Sequence, residues 1–115
     1  MSERRSKYNA HKVCEYGYTF DSIQEYYRYQ DLRLMQDAGA ISNLVVHPTF
    51  ILQDGFMDAL TGERHRAITY EGDFQYTENG VTVVEDVKGK ATDIFRLKWK
   101  MFRKIYPEIE ARIIK

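Results

Sequence analysis

Apolar residues at Ile23, Tyr27, Leu34 and Ala38 recur near the period of an α-helix, and the stretch is bracketed by helix signals. Ser22 followed by Glu25 has the spacing of a capping box, and Gly39 supplies a stop, so a helix is predicted over about 22–38. From Leu44 to Leu52 the pattern changes to β-branched and aromatic residues with His47-Pro48 inside, which reads as a strand, at an edge of its sheet if Pro48 stays within it. Residues 53–64 carry Asp54, Gly55, Asp58, Thr61 and Gly62, suited to a loop or the tip of a long hairpin. Arg66 to Thr77 and Val81 to Lys88 are the next two strand patterns. Asn79-Gly80 between them is the favoured pair for a two-residue type I′ turn. A second helix starts at Thr92 or Asp93 and runs to about Tyr106, ahead of Pro107, with an apolar stripe of Phe95, Trp99, Phe102 and Tyr106. Ile109 to Ile114 reads as a short closing strand.

The predicted order is thus α, β, β, β, α, β: an α/β fold with a mixed sheet, the last two strands parallel because a helix joins them. With Asn79 and Gly80 as turn residues, cross-strand partners have numbers adding to 159, which sets Asp73 opposite Asp86 and Glu71 opposite Lys88. Side chains two apart share a sheet face, so all four project to one side. Opposed like charges are destabilising. Either Lys88 or a hard divalent cation such as Mg²⁺, which takes carboxylate oxygens, would offset the repulsion. A four-residue loop from Thr77 to Gly80 would instead set Asp73 opposite Val84 and keep the shared face.

Chain length fits one compact domain, read as an N-terminal basic arm and lead-in over 1–21 and the main domain over 22–115. Seventeen Lys and Arg balance seventeen Asp and Glu, which excludes a uniformly basic coat protein. The balance is uneven along the chain. Residues 21–60 and 61–87 each hold two basic and six acidic residues, whereas 88–115 hold nine basic and three acidic. An acidic middle beside a basic end is what a site joining carboxylates to a polyanion surface requires. One cysteine, Cys14, permits no internal disulfide and no cysteine zinc site. With no secretory signal and no long apolar run visible, a cytoplasmic protein without membrane contact is expected.

Other motifs carry less. Gly89-Lys90-Ala91 lacks the earlier glycine and the Ser/Thr of a P-loop, so no nucleotide cofactor is expected. His11, His47 and His65 have no zinc spacing, although His47 would point toward the acids if its strand is adjacent. On the second helix Arg96, Lys100 and Arg103 share a face, flanked by Lys98 and Lys104. With Lys90 just before the helix, whose N-terminal amides suit a polyanion, Lys90, Arg96, Lys98 and Lys100 are candidate DNA contacts. Lys7 and Lys12, with Arg4-Arg5, read equally as a DNA-contacting arm or as a solvated terminus.

Gly72-Asp73 followed by Asp86-Val87-Lys88, in this element order and with an acid in the first helix, resembles the motif of the PD-(D/E)XK nuclease superfamily. That superfamily has an αβββαβ, restriction-endonuclease-like core. More closely, Lys7-Tyr8-Asn9-Ala10, Gly17-Tyr18-Thr19-Phe20-Asp21-Ser22 with Glu25, and Asp86-Val87-Lys88-Gly89-Lys90 resemble a family of small, formerly uncharacterised phage proteins likened to Holliday-junction resolvases. The resemblance spans residue 7 to the end and departs from the motif at Gly72, where proline is usual. It implies a metal-dependent DNA endonuclease selective for branched DNA, with Mg²⁺ as cofactor and Mn²⁺ able to substitute. Asp73, Asp86 and the Val87 carbonyl would be metal ligands, Lys88 would orient water or stabilise phosphate charge, and Glu25 would ligate metal or water in addition to any capping role. Cutting two strands from so small a chain makes a homodimer the natural expectation. The alternative is a DNA-binding protein that keeps the fold without turnover.

Overall fold

The strand Val81–Val87 (β9 in chain order) sits between two neighbours, and its consecutive residues Val83, Val84, Glu85 and Asp86 are all buried. A strand covered on both faces carries apolar side chains on both, as the run Val81 to Val84 does. The computed structural model describes residues 12–115; Lys7, Arg4-Arg5 and His11 lie outside them. The fold is mixed α/β, a small single domain with two helices among the described residues.

In chain order the elements are β1 (Val13–Glu15), β2 (Tyr18–Phe20), α1 (Ile23–Asp37), β3 (Ser42–Val46), β4 (Thr49–Gln53), β5 (Phe56–Met57), β6 (Arg64–His65), β7 (Ile68–Glu71), β8 (Phe74–Glu78), β9, α2 (Asp93–Ile105) and β10 (Glu110–Ile114). The central sheet has the order β10-β9-β8-β3. As expected from the helical connection, β10 pairs with β9 in parallel. The β8–β9 hairpin has Thr77 opposite Thr82 and Phe74 opposite Glu85, so partner numbers add to 159. Asn79 and Gly80 both hold positive φ, 52° and 78°, as a type I′ turn requires. The four-residue alternative does not form.

The single strands expected over 44–52 and 66–77 are each two strands. β3 and β8 belong to the central sheet, while β4 and β7 pair only with each other. The chain breaks at His47-Pro48 on one side and Gly72-Asp73 on the other, and the breaks face each other. His47 N–H donates to the Asp73 carbonyl (2.9 Å), and Gly72 N–H donates to the Pro48 carbonyl (2.9 Å). Pro48 has no N–H, so it cannot continue a ladder. Glu71 therefore pairs with Thr49 and does not face Lys88. The stretch 53–64 is the tip of this long hairpin, with β5 and β6 paired and the turn held by Asp58 Oδ1 accepting from the N–H groups of Leu60 and Thr61.

α1 and α2 serve separate cores on the two sides of β9. Phe20, Tyr29, Leu32, Phe74, Tyr76 and Val83 form one, and Leu52, Tyr70, Val84, Phe95, Trp99 and Phe102 the other. The α2 stripe packs as its spacing predicts. The stripe predicted for α1 does not: Tyr27 and Leu34 are exposed, and the residues turned inward are Glu25, Arg28, Tyr29 and Leu32. Two of those four are charged, so apolar periodicity misses the buried face. The lead-in also holds structure, because β1 and β2 form a hairpin that delivers Phe20 to the core. Among the described residues no helix is long and apolar enough to cross a membrane.

Candidate metal centre

Glu85 and Asp86 are adjacent acids on a buried strand, so their side chains leave β9 on opposite faces. Each needs its own partners. Glu85 takes a bidentate pair from Arg28 (Nε 2.7 Å, Nη2 2.6 Å) and a hydrogen bond from the Tyr76 hydroxyl. This network is closed, as a buried carboxylate requires. Glu85 holds the Arg28 guanidinium more firmly protonated than usual, and Tyr76 is held above its ordinary range by burial and by Glu85.

Asp86 is left open. Its Oδ2 accepts from the Tyr70 hydroxyl at 2.5 Å. Its Oδ1 lies 3.1 Å from the Lys88 ammonium, without the alignment of a hydrogen bond, and is buried with no hydrogen-bond partner. Lys88 is itself held over the Phe95 ring, 4.6 Å from its centre. Asp73, one position beyond the last β8–β9 pair, accepts from Val87 N–H at 2.6 Å through Oδ2. Burial, then the charges of Asp86 and Glu25, push its carboxyl up to about 8, against the opposing pull of Val87 N–H and Lys88.

Glu25 arrives from the first turn of α1. Ser22 caps the helix by accepting from Glu25 N–H (3.1 Å), and Glu25 Oε2 reaches back to Asp21 N–H (3.2 Å). The return bond goes to the residue before the cap, so this is a shifted capping box. The other oxygen, Oε1, lies 2.8 Å from His47 Nε2. Glu25 is therefore both cap and site residue, and burial raises its pKa. Ligand atoms of Glu25, His47 and Asp73 all lie within 4.8 Å of one another.

The residues expected at the site thus meet: Glu25, Asp73, Asp86, Lys88, and Val87 through its N–H. His47 and Tyr70 complete the set. His47 shows in the sequence only if β3 is known to lie beside β8, and nothing in its spacing marks Tyr70. The expected DNA contacts are more dispersed. Lys90, Arg96 and Lys100 are exposed after the site, with Arg96 loosely paired to Asp93 at 3.4 Å. Lys98 is half-buried and lies on the opposite side of α2 from Arg96 and Lys100, two positions from both. Lys12 is exposed just before β1.

The donor set suits a hard cation: two carboxylates held together against their repulsion, one buried oxygen that faces the Lys88 ammonium but accepts no hydrogen bond, and a third carboxylate nearby. Fold and site together define a small mixed α/β protein with a buried carboxylate cluster at the end of its central strand. Residues 5–115 match the family described as "Protein of unknown function (DUF1064)", nearly the whole chain, and the protein belongs to that family. No curated protein and no solved structure matches it.

Proposed function

We propose that this protein is a Mg²⁺-dependent DNA endonuclease with a restriction-endonuclease-like core, selective for branched DNA and acting as a homodimer. The observation that carries the reading is the convergence of Asp73, Asp86 and Lys88 at the end of β9, with Asp86 Oδ1 buried and without a hydrogen bond. A protein that only bound DNA would have no use for two carboxylates driven together, one buried and the other half-buried with its carboxyl pushed up by burial and by neighbouring acids. The order α1, β3–β4, β7–β8, β9, α2, β10 supports the core assignment once each bent pair is counted as one strand.

Asp73 and Asp86, with the Val87 carbonyl and Glu25 beside them, would hold the cation. When bound there, it polarises a phosphoryl oxygen and lowers the pKa of an attached water. Tyr70 fixes the Asp86 carboxylate, and Val87 N–H fixes that of Asp73, so both oxygens facing the cation are set before substrate arrives. Lys88 offers the developing phosphate charge an ammonium already anchored by Asp86 and Phe95. Two helix N-termini lie at the same end: α1 supplies Glu25, and α2 begins at Thr92, whose hydroxyl accepts from Phe95 N–H. Their free amides suit a DNA phosphate, with Lys90, Arg96 and Lys100 alongside.

Incubation with four-way junction, flap, linear duplex and single-stranded DNA, with Mg²⁺ or with chelator, tests the proposal. Paired nicks in the junction with Mg²⁺ are expected, falling to background in chelator and in Asp86→Ala. Cleavage that survives Asp86→Ala would reject the mechanism. Binding without cleavage under every cation would reject the enzyme.

A further inference from the structure

His47 holds a backbone conformation that non-glycine residues adopt at a cost. Its φ is 56°, in the left-handed region and directly before Pro48, where helical conformations are further disfavoured. Such strain persists only where the surroundings enforce it, and it gathers at functional sites. Here His47 N–H is bonded to the carbonyl of Asp73, so the two strand breaks are locked together with both side chains on the cluster. An imidazole and two carboxylates, from three separate elements, then lie within 4.8 Å of one another. A simple Glu25–His47 pair would need only two of them. The His47 side chain is 25% exposed, so the imidazole reaches the protein surface while Nε2 faces Glu25.

We propose that Glu25, His47 and Asp73 form a cation position of mixed nitrogen and oxygen donors that takes a first-row transition-metal dication in preference to Mg²⁺. This rests on reading the carboxylate cluster as a divalent-cation site, and not on the cleavage of DNA. Mg²⁺ demands octahedral oxygen and sheds its water reluctantly, whereas imidazole favours the transition metals. His47 Nε2, 2.8 Å from Glu25 Oε1, would coordinate as an unprotonated nitrogen beside that carboxylate oxygen. Asp73, beside both Glu25 and Asp86, links this position to Asp86, whose buried Oδ1 accepts no hydrogen bond.

Titration of the tag-free full chain with Mn²⁺ and with Mg²⁺, by calorimetry and by electron spin echo of bound Mn²⁺, tests the assignment. Nitrogen modulation from one imidazole is expected in the Mn²⁺ signal and is lost in His47→Gln. Mn²⁺ affinity should fall about tenfold or more in that variant, as when metal shells are disturbed, with a smaller change for Mg²⁺. Should His47→Gln not fold, the double variant His11→Gln, His65→Gln decides: it leaves His47 as the sole histidine and must keep the nitrogen signal. Bound Mn²⁺ without nitrogen coupling, or equal losses for both cations, would overturn the proposal. Cleavage assayed on the same samples separates the two readings. Nitrogen coupling without cleavage in any cation rejects the nuclease and leaves this site standing, and Mg²⁺-supported cleavage without nitrogen coupling does the reverse.

Discussion

Tyr70 and Gly72 show how closely the site depends on groups that carry no charge. The Tyr70 hydroxyl is the one hydrogen-bond donor to the Asp86 carboxylate among the described residues, and burial beside Asp86 lifts its own pKa far above the phenol range. Tyr70→Phe leaves the carboxylate without it and should cost about 1–3 kcal/mol, the range for stranding a buried polar partner. Urea unfolding of the metal-free protein measures this, and the loss should shrink when a divalent cation is present. Gly72 is constrained in two ways visible in the packing. Its N–H bonds the Pro48 carbonyl, and an added Cβ would lie 3.0 Å from Val84 Cγ1. Gly72→Ala is therefore expected to cost about 1–3 kcal/mol by overpacking. Gly72→Pro should cost more, since the hydrogen bond goes as well, and equal stability of the two variants in the same urea assay would contradict this account.

α1 is held by a polar bond as much as by apolar contact. Arg28 and Glu85 tie the helix to the central strand from the side opposite Asp86, and the Glu85 side chain is wholly buried. Arg28→Met should cost about 3 kcal/mol or more, because it leaves an uncompensated buried carboxylate. Arg28→Met combined with Glu85→Leu should recover much of that loss in thermal unfolding. If the single variant were neutral, α1 would not depend on the pair. The long hairpin is the other element with a double role. Its bend makes β4 and β7 pack under α2 while β3 and β8 stay in the central sheet, so one strand break carries His47 and the other Asp73. The β-rich pattern of 44–52 and 66–77 is legible in the sequence, and Pro48 marks one break. That both breaks fall opposite each other depends on the pairing register, which local composition does not carry.

Across the molecule, two acids from the middle of the chain, Glu85 and Asp86, end up buried on opposite faces of β9, one neutralised by Arg28 and the other incompletely partnered. That imbalance has a pH signature. Folded Asp73, pushed up to about 8, binds its proton more tightly than the unfolded chain does, and Glu25 shifts in the same direction. Stability from these groups is thus fully present below the ordinary carboxylate range of about 4 and is lost as pH rises toward about 8. Thermal melts of metal-free protein from pH 5.5 to 9 should show falling stability, reduced in slope by Asp73→Asn and by saturating Mn²⁺. A melting temperature that rises over this interval would contradict the buried-carboxylate picture. The zero net charge of the chain is no obstacle to a polyanion partner, since Lys90, Arg96 and Lys100 stay exposed beyond the cluster.

The two helices, the Asn79-Gly80 register and the α2 stripe follow from the chain alone, because each rests on local chemistry: capping residues, positive φ at two turn residues, and aromatic residues three and four apart. The same register puts Asp73 level with Asp86. The inward face of α1, the convergence of His47 and Tyr70 on the acids, and the transfer of Glu71 to Thr49 come only with the folded structure. Each depends on contacts between segments far apart in the chain, and on charged side chains being buried where a distant partner makes burial tolerable, which no pattern within one segment encodes.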